Sequence, residues 1–173
     1  MRFGTYSIQK CQKGELDSAL RGISQANVDL GIFQDTKVTA EIYTRESSGY
    51  RVVAPETPSA HSGGVAVFYH VAEHLSVEAL HIYSANVASF QLASGGQKWY
   101  IVGCYLAPDN ASTIDDVIVA ISQRLRGGAL LVAGDLNTNL TAPEERTQDE
   151  EIAEAIAAAG LEDMSGHFLS QNK

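Results

Sequence analysis

The chain has 173 residues, 45% of them hydrophobic and 19% charged, the balance of one globular domain, residues 1–173, with a sizeable core. A net charge of −9 argues against strong nonspecific affinity for nucleic acid, and no apolar run is long enough to span a bilayer. Two cysteines make no disulfide framework, and residues 1–15 turn polar too early for a secretory signal, so a reduced intracellular compartment, cytoplasm or nucleus, is expected.

The charge is uneven. Residues 1–51 carry seven Lys/Arg, Lys37 among them, against six acids, whereas residues 135–173 carry nine acids against two bases. A polyanion would meet the N-terminal part more easily, although solvated surface charge accounts for most such residues.

Phe3, Tyr6 and Ile8 mark a first strand over residues 2–9. Leu16, Ala19, Leu20 and Ile23 follow helical spacing and predict an amphipathic helix over 15–26. Residues 28–34 form a second strand, with Leu30 and Ile32 inward, ending in Gln34-Asp35-Thr36-Lys37. A helix joining two such strands makes them parallel neighbours with their polar ends on one rim. Residues 38–49 read as irregular, 50–54 as a short strand and 55–62 as a loop rich in Pro and Ser. Gly63-Gly64 opens a strand through Val65, Val67 and Tyr69, and 74–80 is a weaker one. Residues 86–93 and 98–106 flank Ser94-Gly95-Gly96-Gln97, a hairpin signal. Cys104 sits in an apolar run and reads as a buried free thiol, whereas Cys11 lies in a polar loop.

Ser112 with Asp115 resembles a helix cap, and Ile114, Val117, Ile118, Ile121 and Leu125 give a helical stripe ended by Gly127-Gly128. Leu130-Leu131-Val132-Ala133-Gly134-Asp135-Leu136-Asn137 then reads as a central strand buried on both faces. Asp135 and Asn137 lie at or just beyond its C-terminal end, two apart and so on one side in extended geometry. A carboxylate beside an amide there can orient a water or a phosphate oxygen near a hard metal ion. The alternative is a polar turn capping a core strand. Thr147 with Glu150 forms a further capping box ahead of an apolar face of Ile152, Ala155, Ile156 and Ala159, and Gly160 is a natural stop. His61, His70, His74 and His81 show no zinc spacing, no lysine of a phosphate loop follows the glycine pairs, and no Gly-x-Ser-x-Gly elbow occurs. Consecutive strands with helices between others favour sheets packed face to face with outer helices.

Five stretches, taken in order, resemble the endonuclease/exonuclease/phosphatase superfamily, and within it the apurinic-type endonuclease domain of non-LTR (LINE-like) retrotransposons. They are Thr5-Tyr6-Ser7-Ile8-Gln9, Asp29 through Lys37, Gly63-Gly64-Val65-Ala66-Val67-Phe68, Gly103-Cys104-Tyr105-Leu106-Ala107-Pro108 and Gly134-Asp135-Leu136-Asn137. The resemblance implies an α/β fold, a four-layer α/β sandwich of two packed, mostly antiparallel sheets with outer helices and catalytic groups on one rim. It implies Mg²⁺, or Mn²⁺ in its place, assisting attack of water on a DNA phosphodiester. By the family's motifs, Ser7 replaces an Asn that helps hold phosphate or metal, and Asp35 replaces the Glu that is the main Mg²⁺ ligand. The shorter Asp35 withdraws its carboxylate by roughly 1.5 Å. Tyr105 would contact the scissile phosphate, Asp135 would orient the attacking water or protonate the leaving group, and Asn137 would hold a phosphate oxygen.

The family's closing Ser-Asp-His motif has no counterpart before Lys173, and His167 follows the preceding helix too closely to replace it. The resemblance therefore implies a sandwich lacking its C-terminal strands, with exposed sheet edges that invite a homodimer or a protein partner. Catalytic groups act as a unit, so the altered Ser7 and Asp35 and the missing pair imply impaired hydrolysis. The alternative is a catalytically inactive domain, a pseudoenzyme acting by protein or nucleic-acid binding.

Overall fold

The structure, a computed structural model, describes residues 1–8, 13–38, 42–57, 63–71, 75–106, 112–123, 128–138 and 147–162. It comprises two compact units, Met1–Leu136 and Asn137–Lys173. In the first, β1 (Phe3–Ser7) is followed by α1 (Lys13–Gln25) and β2 (Leu30–Gln34). The strands are parallel, Phe3 opposite Leu30 and Ser7 opposite Gln34, as a helical crossover dictates. Asn27, at φ 53°, terminates α1; its N–H donates to Ser24 O at 3.0 Å, and the Val28 N–H donates to Ile23 O at 3.2 Å. These two bonds satisfy carbonyls that the helix end leaves open.

β3 (Ile42–Ser47) and β4 (Tyr50–Pro55) form a hairpin through Ser48 and Gly49, and β5 (Val65–His70) joins β4 to β2. The first sheet has the order β1-β2-β5-β4-β3. The expectation of irregular structure over 38–49 is corrected here: β3 is an edge strand within it. Its Arg45 and Glu46 break any alternation of apolar residues, and its order comes from antiparallel bonds to β4 across a two-residue turn.

The second sheet holds β6 (Ser76–Ser84), β7 (Val87–Ser94), β8 (Gln97–Tyr105) and, after α2 (Ser112–Ser122), β9 (Ala129–Asp135), in that order. β6 outruns the weak strand expected at 74–80 because register shifts between Glu78 and His81, and between Ile82 and Ser84, interrupt its alternation. β9 pairs parallel to β8. The expected central strand, buried on both faces, is therefore corrected: among the described residues β9 is an edge, and its residues up to Gly134 are only half-buried. Apolar composition reports side-chain hydrophobicity, not a strand's place in its sheet.

Leu16, Leu20 and Ile23 of α1 pack on one face of the first sheet, against Phe33, Tyr50, Val52 and Phe68. The other face meets the second sheet: Leu30, Ile32, Val65 and Val67 pack against Ala88, Phe90, Leu92 and Ile101. Each fully buried side chain of this size contributes about 1.5–3 kcal/mol. α2 packs on β6, β7 and β8, burying Ile114, Val117 and Ala120. Strand alternation puts Val102 and Cys104 on that side, and Cys104 is the buried free thiol expected. The first unit is thus a four-layer α/β/β/α sandwich of two mostly antiparallel sheets.

In the second unit α3 (Thr147–Ala158) forms where the apolar face of Ile152, Ala155 and Ile156 predicts a helix, and it buries Ile152. It ends at Gly160, φ 66°, where the Leu161 N–H donates to Ile156 O at 3.0 Å. Cys11, His61, His74, Leu125, Gly127 and His167 lie outside the described residues.

Candidate active site

The site grows from the C-terminal ends of β1 and β2. Tyr6 packs on the α1 side with Phe33 and Phe68, so Ser7 and Gln34, next along their strands, face the other way. Gln34 is buried and Ser7 exposed. On the α1 side of β1, Tyr6, Glu15, Ser18 and Gly22 line an open groove of about 450 Å³.

Beyond Gln34 the chain makes a sharp turn, with Asp35 at φ 57° and Lys37 at φ 50°. Two non-glycine residues in the left-handed region need a surrounding that holds them there. The backbone of Gly63-Gly64 provides it. The Thr36 N–H donates to Gly64 O at 3.3 Å and the Lys37 N–H to Gly63 O at 3.1 Å. Gly64 stands at φ 96°, and a Cβ there would lie 2.4 Å from Thr57 Cγ2 and 2.5 Å from Thr36 Oγ1. No other residue type fits that close approach.

Both carboxylate oxygens of Asp35 are engaged. Oδ1 accepts from the Gly63 N–H at 3.0 Å, and Oδ2 pairs with Lys37 Nζ at 2.9 Å. The same glycine pair ties this turn to the second sheet. The Gly64 N–H donates to Asn86 Oδ1 at 2.7 Å, and Asn86 O accepts from the Tyr105 N–H at 2.9 Å. Tyr105 stands in register with Asp135 on β9, and the Leu106 N–H donates to Asp135 O at 2.8 Å. A continuous path therefore runs from Asp35 through Gly63-Gly64 and Asn86 to Tyr105 and Asp135.

Electrostatics places these groups in one neighbourhood. Burial, and then the carboxylates of Asp35 and Asp135, push the Tyr105 phenol above its ordinary value, while Lys37 pulls it down. Tyr105 stays a neutral hydroxyl donor at neutral pH, half-buried against the core between the sheets. Asp135 itself is exposed. Gly134, at φ 144°, brings the β9 backbone close to Cys104 O just before it.

The structure thus brings Asp35, Tyr105 and Asp135 together, and sets Ser7 at the same sheet end beside Gln34. Asn137, at φ 46°, follows β9 by two residues and belongs to the second unit. Lys37, Asn86 and the Gly63-Gly64 backbone had no assigned role in the sequence. Their bonds to the site span more than twenty residues or depend on a left-handed turn, and no local pattern announces either.

Among the described residues no cluster of three or more His, Cys, Asp or Glu side chains forms. Asp35, whose oxygens are engaged by Gly63 and Lys37, and Asp135 are the carboxylates that act on Tyr105. Mg²⁺ takes one or two carboxylates and keeps several waters, so this donor set fits a hydrated Mg²⁺ or Mn²⁺.

Among solved structures, the endonuclease domain of TRAS1, a telomere-specific non-LTR retrotransposon, superposes with a TM-score of 0.65 at 13% identity, over 92% of this chain and 70% of that one. An endonuclease/exonuclease/phosphatase family protein from Leptotrichia buccalis does so with a TM-score of 0.60 at 15% identity, over 95% and 74%. The chain has the endonuclease/exonuclease/phosphatase fold. No family model and no curated protein matches the chain. The endonuclease/exonuclease/phosphatase fold is therefore evident in the arrangement of its strands, with few identical residues to carry it.

Proposed function

We propose that the chain is a divergent, retroelement-derived endonuclease-like domain whose rim engages a DNA phosphodiester and hydrolyses it slowly. The observation that supports this most is the convergence of Asp35, Lys37, Tyr105 and Asp135 from both sheets on one rim. The fold likeness to a retrotransposon endonuclease domain agrees with it.

In this reading the Tyr105 hydroxyl donates to a non-bridging phosphate oxygen. Asp135 orients the attacking water and takes its proton as the new P–O bond forms and the P–O bond to the leaving sugar oxygen breaks, that oxygen taking a proton from solvent. Mg²⁺ bound through Asp35 and Asp135 would supply positive charge to the phosphate oxygens. Ser7 offers a hydroxyl where the family pattern has an amide, and Asp35 is a methylene shorter than Glu. Both changes favour slow turnover.

A fluorophore-labelled DNA duplex should bind more tightly in Mn²⁺ than in EDTA, by anisotropy. Tyr105→Phe should weaken that binding about tenfold, the worth of one hydrogen bond to a charged oxygen. Binding that ignores both the metal and Tyr105→Phe would overturn the reading. A second reading, binding without turnover, is favoured by the engagement of both Asp35 oxygens by Lys37 and Gly63. It keeps the DNA affinity and loses the cleavage.

A further inference from the structure

We propose that Lys37 is a built-in cation that competes with divalent metal for Asp35 and so sets the metal affinity of the rim. The inference rests on the reading of this rim as a metal-assisted phosphodiester site, and adds the residue that regulates it. Lys37 Nζ lies 2.9 Å from Asp35 Oδ2, and the two side chains are only 16% and 21% exposed. Water screens such a pair less than one on the open surface.

The pairing is imposed by the backbone. Asp35 and Lys37 both occupy the left-handed region, and the N–H groups of Thr36 and Lys37 are held by the carbonyls of Gly64 and Gly63. The Gly63 N–H fixes the other carboxylate oxygen, so Oδ2 is turned to the ammonium. A divalent ion that approaches Oδ2 meets a positive charge already in contact with it. It must displace that ammonium and bear the Coulomb repulsion while doing so. Tyr105 feels the two carboxylates and Lys37 with opposite sign, which puts the ammonium among the acidic groups of the rim. Metal binding would also release Lys37, which then faces a rim able to hold a phosphate. The residue thus positions charge without touching the reacting atoms.

Calorimetric titration with Mn²⁺ tests this on the full chain, with wild type, Lys37→Met, Lys37→Gln, Lys37→Arg and Asp35→Asn compared after circular dichroism confirms their folding. Lys37→Met and Lys37→Gln should each tighten Mn²⁺ binding at least about tenfold, as expected for removing a contacting like charge from a partly buried site. Lys37→Arg should stay within about threefold of wild type, because it keeps the charge. Asp35→Asn should abolish the gain when combined with Lys37→Met. Unchanged or weaker Mn²⁺ binding in both neutral variants, or no binding in any variant, overturns the proposal. Tighter binding in the neutral variants without any DNA affinity would instead leave Lys37 in this role and remove the phosphodiester reading.

Discussion

Gly134 shows how little room the rim leaves at its base. A Cβ there would lie 1.8 Å from Cys104 O, a backbone atom that cannot swing aside, and its φ of 144° suits no L side chain. Gly134→Ala should destabilise the first unit by about 3 kcal/mol or more, read as a lower urea midpoint at unchanged slope. A midpoint within experimental error of wild type would show that β8 and β9 do not approach as described. The glycine is legible in the sequence as the bend before Asp135, but the atom that demands it belongs to a residue thirty positions away. The same holds for Lys37. In the sequence it is one base among seven near the N-terminus. Its return onto Asp35 depends on left-handed backbone at both residues, which Asp adopts more readily than most but Lys does not signal.

At the scale of elements, α1 is tied to the edge strand β3 by charge as well as by the core. Arg45 donates to both oxygens of Asp17 at 2.8 Å, and Ser47 Oγ donates to Oδ1 at 2.6 Å. The Ser47 hydrogen bond first, and then the Arg45 charge and its hydrogen bonds, outweigh desolvation and hold the Asp17 carboxyl below its ordinary value. A carboxyl lowered in the folded state contributes stability that is present above its unfolded pKa and lost as pH falls through the folded one. Asp17→Asn should therefore be less stable than wild type at neutral pH, and the gap should narrow at low pH, as the pH falls below the ordinary carboxylate range. Urea denaturation at both pH values measures it, and a gap that persists at low pH would rule out the ionised contact as its source. Local pattern foretold the β1–α1–β2 crossover, the β7–β8 hairpin, α2 and α3, because each rests on periodicity or turn residues near in sequence. It did not foretell β3, whose apolar alternation is broken by Arg45 and Glu46, nor the edge position of β9, which only the sheet order reveals.

At the scale of the whole molecule, the two sheets pack through Leu30, Ile32, Val65 and Val67 against Ala88, Phe90, Leu92 and Ile101, and this core aligns two sets of strand ends. Asp35 comes from one sheet, Tyr105 and Asp135 from the other, and Asn86 with Gly64 joins them at the seam. Five short motifs in order pointed to this rim because each ends a strand of one or the other sheet, or opens one. The chemistry proposed for it hangs on Asp135, the exposed carboxylate at the end of β9. Nicking of supercoiled plasmid in Mg²⁺, Mn²⁺ and EDTA, with Asp135→Ala beside wild type, tests it most directly. Slow nicking that needs the metal and falls at least about a hundredfold in Asp135→Ala is the expected result. Nicking at the same rate in Asp135→Ala or in EDTA, or none above background from folded wild-type protein at high concentration, would contradict hydrolysis at this rim.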